Sequence, residues 1–84
     1  MGQRLDTLKG HSGVITTVTI SPDGQTLASG SENSLIKLWN LASRTELCTL
    51  EGHTADVKAL VFSTDGRTLV SSSTDTTIKV WGAL

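Results

Sequence analysis

Thr68–Gly82 reads TLVSSSTDTTIKVWG, and Thr26–Asn40 reads TLASGSENSLIKLWN. The second stretch is the first displaced by 42 residues, Thr26 to Thr68. The displacement holds outside both stretches, pairing Leu8 with Leu50, Gly10 with Gly52, His11 with His53, Ser21 with Ser63, Asp23 with Asp65, Gly24 with Gly66 and Trp39 with Trp81. The 84-residue chain is therefore two tandem units with no insertion between them. A period of about 40–45 residues is the length of a four-stranded propeller blade, a unit that buries its apolar faces by stacking on neighbours.

Each unit divides into short β-branched or apolar runs separated by turn residues. Val14–Ile20 (VITTVTI) is β-branched at every position and reads as a strand buried on both faces. Ser21-Pro22-Asp23-Gly24 is a turn, since Pro presets φ at its second position and Gly accepts a positive φ at its fourth. Thr26–Ser31 returns, Glu32-Asn33-Ser34 turns, Leu35–Leu41 forms a third strand, Ala42-Ser43-Arg44 turns, and Thr45–Leu50 forms a fourth. The second unit repeats the order in Val57–Phe62, Thr68–Ser73 and Thr77–Trp81. Gln3–Leu8 (QRLDTL) is the counterpart of Thr45–Leu50 (TELCTL) and reads as a strand whose own unit is missing. With tight connections and no helix candidate, the expected class is all-β, an antiparallel meander.

Composition excludes several functions. The formal charge is −1, and the lysines and arginines are scattered singly, leaving no basic stripe for nucleic acid and no polybasic or amphipathic element for a membrane. The N-terminal MGQRLD lacks the apolar core of a signal peptide, so a cytoplasmic protein is expected. Cys48 is the single cysteine, and His11 and His53 lie one repeat apart, so neither an internal disulfide nor a metal or cofactor site is expected.

Gly10-His11, Ser21-Pro22-Asp23-Gly24, Leu27-Ala28-Ser29-Gly30-Ser31 and Ile36-Lys37-Leu38-Trp39, with their copies in the second unit, resemble the WD40 repeat family over the whole chain. The second position of the eponymous Trp-Asp pair is Asn40 in one unit and Gly82 in the other, and Thr64 stands where the first unit has Pro22. The resemblance implies an array over 1–84 divided into an orphan outer strand (3–8), a four-stranded blade (14–50), and a second blade (57–81) that takes its outer strand from elsewhere. It also implies a hydrogen-bonded tetrad of His53, Ser71, Asp75 and Trp81, matched in the first unit by His11, Ser29, Asn33 and Trp39. Independently of the family, a mid-strand Ser, a Trp and a His each cost about 1–3 kcal/mol if buried without partners, and a shared network removes that cost. Carried over position by position, the family's partner-binding rim falls on Val14, Thr16 and Glu32 and on Asp56, Lys58 and Thr74.

His, Ser and Asp together also invite a hydrolase triad. The acid is Asn33 in one unit, and neither a Gly-x-Ser-x-Gly elbow nor an oxyanion loop is present. The chain therefore reads as a non-enzymatic interaction scaffold, with a ligand-binding or hydrolytic propeller using its central channel as the different-class alternative. Two blades cannot close a ring, and both alternation sets of VITTVTI and VKALVF are apolar or β-branched, so self-association head to tail is expected. Equivalent copies give an even blade count: a tetramer with eight blades is favoured over a trimer with six. The remaining alternative is a piece excised from a longer, seven-bladed protein.

Overall fold

The computed structural model describes residues 2–82. Met1, Ala83 and Leu84, the ends of the expected 1–84 array, lie outside the described residues. Among the described residues, seven strands form two antiparallel sheets. The first is β1 (Ile15–Ile20), β2 (Thr26–Ser31), β3 (Ile36–Asn40) and β4 (Thr45–Leu50); the second is β5 (Val57–Phe62), β6 (Leu69–Ser73) and β7 (Ile78–Trp81), each in sequence order. The expected strands sit where the turn residues place them, shortened by a residue at some ends, where ladders fray.

The turns show why. Gly24 and Gly66 have φ of 74° and 72°, a region open to glycine without cost. The Ser21 and Ser63 hydroxyls each donate to an aspartate (Ser21 Oγ to Asp23 Oδ1 2.5 Å; Ser63 Oγ to Asp65 Oδ1 2.5 Å), and the same serine oxygens accept the amides of Thr26 and Thr68. Ser34 and Thr76, equivalent residues of the β2–β3 and β6–β7 turns, also have positive φ, both 76°. For a β-branched threonine this conformation is strained, and nothing in the side-chain types of those turns announces it.

Antiparallel register assigns side chains to faces, because paired residues point to the same side. Thr19, Ala28 and Leu38 are paired across β1–β3, as are Thr17, Gly30 and Ile36. This face carries Ala28, Ile36 and Leu38 into the core, where they meet Val57, Leu60 and Leu69 from the second sheet, flanked by Leu50, Phe62 and Trp81. Gly30 makes the approach possible: a Cβ there would lie 2.6 Å from Val57 Cγ1 and 2.9 Å from Val57 Cβ. The Thr16 hydroxyl donates across the same contact to the Val57 carbonyl.

Two expectations change here. The β1 strand is not buried on both faces: Ile15, Val18 and Ile20 are exposed, because among the described residues the second blade covers just the Thr17 and Thr19 side. Among the described residues Gln3–Leu8 forms no strand, since strand structure needs a ladder partner and the segment pairs with no described sheet edge.

Candidate functional site

The tetrad positions come from four places in each blade: a histidine from the loop ahead of β1 or β5, a serine from β2 or β6, Asn33 or Asp75 from the turn that follows, and a tryptophan from β3 or β7. In the second blade the Trp81 indole N–H donates to Ser71 Oγ (2.9 Å), and Ser71 Oγ lies 2.7 Å from His53 Nε2. His53 Nδ1 lies 2.9 Å from Asp75 Oδ2. One tautomer satisfies every group: Nδ1–H donates to the carboxylate, and Nε2 accepts the serine hydroxyl. Asp75 also accepts the Thr54 amide (3.0 Å), the Thr77 amide (2.9 Å) and the Thr77 hydroxyl (2.5 Å). The Thr77 hydroxyl is the main reason its carboxyl stays far below the usual carboxylate range, with the Thr54 amide and His53 adding to it.

The first blade reproduces only part of this. Trp39 Nε1–H donates to Ser29 Oγ (2.9 Å), which lies 2.6 Å from His11 Nε2. Asn33, expected beside His11, does not reach it. Its amide donates to Ser12 Oγ (2.9 Å), its carbonyl oxygen accepts the Ser31 hydroxyl, and the buried His11 Nδ1 has no partner. The position equivalent to Thr77 is Leu35, which offers no hydroxyl to hold a side-chain oxygen toward the histidine. Burial, reinforced by the nearby Lys37 charge, lowers the His11 pKa below its ordinary value.

Sequence reading missed an ion pair. Lys37, on β3, is buried, and its ammonium donates to Glu46 Oε2 (3.0 Å) and Thr49 Oγ1 (2.9 Å) on β4. The Lys37 bond, with the Thr49 hydroxyl donating to the same oxygen (3.1 Å), holds Glu46 below the usual carboxylate range. The register Lys37↔Thr49, with a bulge that sets Glu46 opposite Trp39, creates the contact, and no local pattern encodes it.

Most of the expected rim residues pair with one another within their own blade. Val14 and Glu32 exchange a backbone bond (Glu32 N to Val14 O 2.9 Å), as do Asp56 and Thr74 (Thr74 N to Asp56 O 3.1 Å). Lys58 lies 3.7 Å from Asp56 on the surface. Thr16 is committed to Gly30 and Val57 carbonyls at the contact between blades. Among the described residues, no group of three or more His, Cys, Asp or Glu is placed to hold a metal ion, and no helix is long and apolar enough to cross a membrane.

The family model for the WD domain, G-beta repeat, WD40, matches residues 2–40 and 44–82. The chain belongs to the WD40 family. Its WD40 relatives include eukaryotic translation initiation factor 3 subunit I of Aspergillus niger, 50% identical over 40 residues that make up 48% of this chain and 12% of that protein. They also include small ribosomal subunit protein RACK1 of Medicago sativa, 50% identical over 42 residues, 50% of this chain and 13% of that one. Each alignment thus spans about an eighth of the relative's length. Among solved structures, U3-55K superposes with a TM-score of 0.87 at 28% identity, covering 90% of this chain and 25% of its own. The computationally designed Ika4 protein superposes with a TM-score of 0.85 at 35% identity, covering 99% of this chain and 49% of its own. The WD40 blade is the architecture described above.

Proposed function

We propose that this chain is a non-enzymatic, cytoplasmic WD40 interaction scaffold that completes its ring with further copies of itself, four copies making eight blades in preference to three making six. One observation carries the reading: the two bare blade faces are the repeat counterparts of the two sides of the buried contact between blades. The buried contact sets Thr17, Thr19, Ala28, Gly30, Ile36 and Leu38 against Val57, Leu60, Phe62 and Leu69. Displaced by one repeat, the first group becomes Ala59, Val61, Val70, Ser72, Ile78 and Val80, with Val61, Ile78 and Val80 57%, 72% and 70% exposed. Displaced the other way, the second becomes Ile15, Val18, Ile20 and Leu27, with Val18 and Ile20 59% and 53% exposed. Val70 enlarges one face where Ala28 stood, while Val18 and Ile20 reduce the other where Leu60 and Phe62 stood. Uncovered, such faces are large for an 84-residue chain, and each side chain contributes about 1.5–3 kcal/mol when buried.

A further protein partner fits the rim at Val14, Glu32, Asp56, Lys58 and Thr74, which presents mixed charge without an aromatic or arginine anchor. Nucleic acid and membrane are not partners in this reading. The catalytic alternative is disfavoured by Ser71, which is fully buried and accepts the Trp81 indole proton, so no substrate carbonyl can approach it. Central-channel binding is disfavoured too, since Thr17 and Thr19 face the second blade and Lys58 turns to Asp56. The short coverage of the longer relatives favours a second reading, a piece of a larger propeller whose faces are covered by blades of its own chain.

Multi-angle light scattering at micromolar concentration separates them. The expected mass is four times the 8.9 kDa chain. A monodisperse, folded monomer overturns self-closure and leaves the excised-piece reading.

A further inference from the structure

The chain has two asparagines, and they sit in opposite settings. Asn40 ends β3 and pairs with Thr26 on one side and Thr45 on the other. Its Oδ1 accepts the Ser43 amide (3.0 Å), and the next amide along the chain, that of the bulky Leu41, donates to the Gln25 carbonyl (2.9 Å). Asn33 lies in the β2–β3 turn and is followed by the small Ser34, which belongs to no strand. The Ser34 N–H donates to the Ser31 carbonyl at 3.2 Å, the long end of the range for such a bond. The Ser31 hydroxyl donates to the Asn33 carbonyl oxygen and draws electron density from Cγ, while the amide nitrogen donates to the exposed Ser12 hydroxyl (2.9 Å), on the solvent side. Beside the turn, His11 Nδ1 is buried with no partner. In the second blade the same nitrogen of His53 and the Thr54 amide share Asp75 Oδ2, at 2.9 and 3.0 Å. Ser34 and Thr76, which follow Asn33 and Asp75, have the same φ of 76°, so the two turns have one backbone shape and a carboxylate suits either.

We propose that Asn33 is a site of spontaneous deamidation, and that the aspartate formed there supplies His11 with the acceptor that His53 already has. The Ser34 main-chain nitrogen, its proton taken by solvent hydroxide, attacks Cγ of Asn33. The Cγ–Nδ2 bond breaks, the nitrogen takes a proton from water and leaves as ammonia, and a five-membered succinimide remains. Water then adds at Cγ and breaks the new bond to Ser34 N, restoring the peptide with an aspartate at position 33. Water is the sole co-reactant, and nothing is oxidised or reduced. Addition at the main-chain carbonyl instead gives isoaspartate, which lengthens the backbone by one carbon and breaks the turn. The fold favours the first product, because a carboxylate at this position reaches the unpartnered His11 Nδ1, whereas the longer backbone forfeits the Ser34–Ser31 bond. Asn40 is spared for two reasons: its neighbouring amide is committed to the Gln25 carbonyl beside a strand, and the branched Leu41 crowds the attack. The modification depends on the first blade's turn alone and holds whether or not the ring is closed by further copies.

The test is incubation of the folded, full 84-residue chain in warm, mildly alkaline buffer, followed by mass spectrometry of the intact chain and of its peptides. The expected result is a mass gain of one dalton, located at Asn33 and accumulating severalfold faster there than at Asn40, the control within the same molecule. Electron-transfer fragmentation separates the two products, with aspartate in excess in the folded chain and isoaspartate in excess when the same incubation is run in urea. The aspartyl fraction, isolated by ion exchange, melts at the higher temperature of the engineered Asn33→Asp chain. Ser34→Thr slows the reaction severalfold, since a β-branched side chain beside the attacking nitrogen hinders it; Thr76 already occupies the equivalent conformation, so this variant folds. Equal rates at Asn33 and Asn40, or a rate indifferent to Ser34→Thr, overturns the site. A deamidated chain that is mostly isoaspartyl and melts below the starting material overturns the completion of the His11 network.

Discussion

Replacing Asn33 by Asp supplies the first blade with the acceptor that the second already has. His11 Nδ1 is buried without a partner, while its equivalent on His53 meets Asp75 at 2.9 Å. Satisfying it with a carboxylate is worth about 1.5–3 kcal/mol for a hydrogen bond to a charged group. Against this stands the loss of the Asn33 amide bond to the exposed Ser12 hydroxyl (2.9 Å), a neutral contact worth about 0.5–1.5 kcal/mol. Leu35 also lacks the hydroxyl that braces Asp75 from Thr77, so the new carboxylate is less well fixed than its model. The net expectation is a gain of about 1 kcal/mol, or a rise in Tm of about 4–8 °C for a domain of this size. Adding Leu35→Thr to Asn33→Asp enlarges the gain. The assay is a thermal melt by circular dichroism at neutral pH and one fixed protein concentration, because assembly makes Tm depend on concentration. Asn33→Asp is compared in the native and His11→Gln backgrounds. A gain of the same size in both backgrounds refutes the reasoning, since the effect then does not pass through the imidazole.

Two further outcomes follow from the same networks. Ser71→Ala leaves the Trp81 indole N–H and His53 Nε2 without their shared partner at a fully buried site, so stability falls by about 2–3 kcal/mol, seen as a Tm drop of roughly 8 °C or more; an unchanged melt contradicts the network. The two blades also differ in acid. The His11 pKa is lowered in the fold, so the unfolded chain takes up the proton first; stability is fully present above about pH 6.5 and declines as pH falls below it. The Asp75 carboxyl is also lowered, so its contribution is present above the unfolded value near pH 3.9 and is lost only as pH falls further. Melts across that range show His11→Gln flattening the limb below pH 6.5, and Asp75→Asn lowering stability at neutral pH while flattening the acid limb, where the wild type loses the same contribution.

Much of this molecule is legible one residue at a time, because its turns and strands are local. The 42-residue offset from Gly10 to Gly52 gave the blade count, Asp-Gly pairs placed the hairpins, and β-branched runs placed the strands, each from short-range sterics and turn chemistry. The His53, Ser71 and Trp81 cluster was readable for a related reason: buried polar groups must be partnered, and the repeat showed which positions recur together. What depends on register and on neighbours was decided only in three dimensions. The Lys37–Glu46 pair arises from a bulge in β3–β4 pairing, and Asn33 turns from His11 because Leu35 sits where Thr77 braces Asp75. The burial of β1 on a single face follows from how many blades stand beside it, a number that a strand's own alternation cannot contain. Sequence determined each blade, since hydrogen-bonded ladders and turns are short-range; the tertiary structure decided which faces and edges are left open, since covering them depends on atoms far along the chain or in another copy.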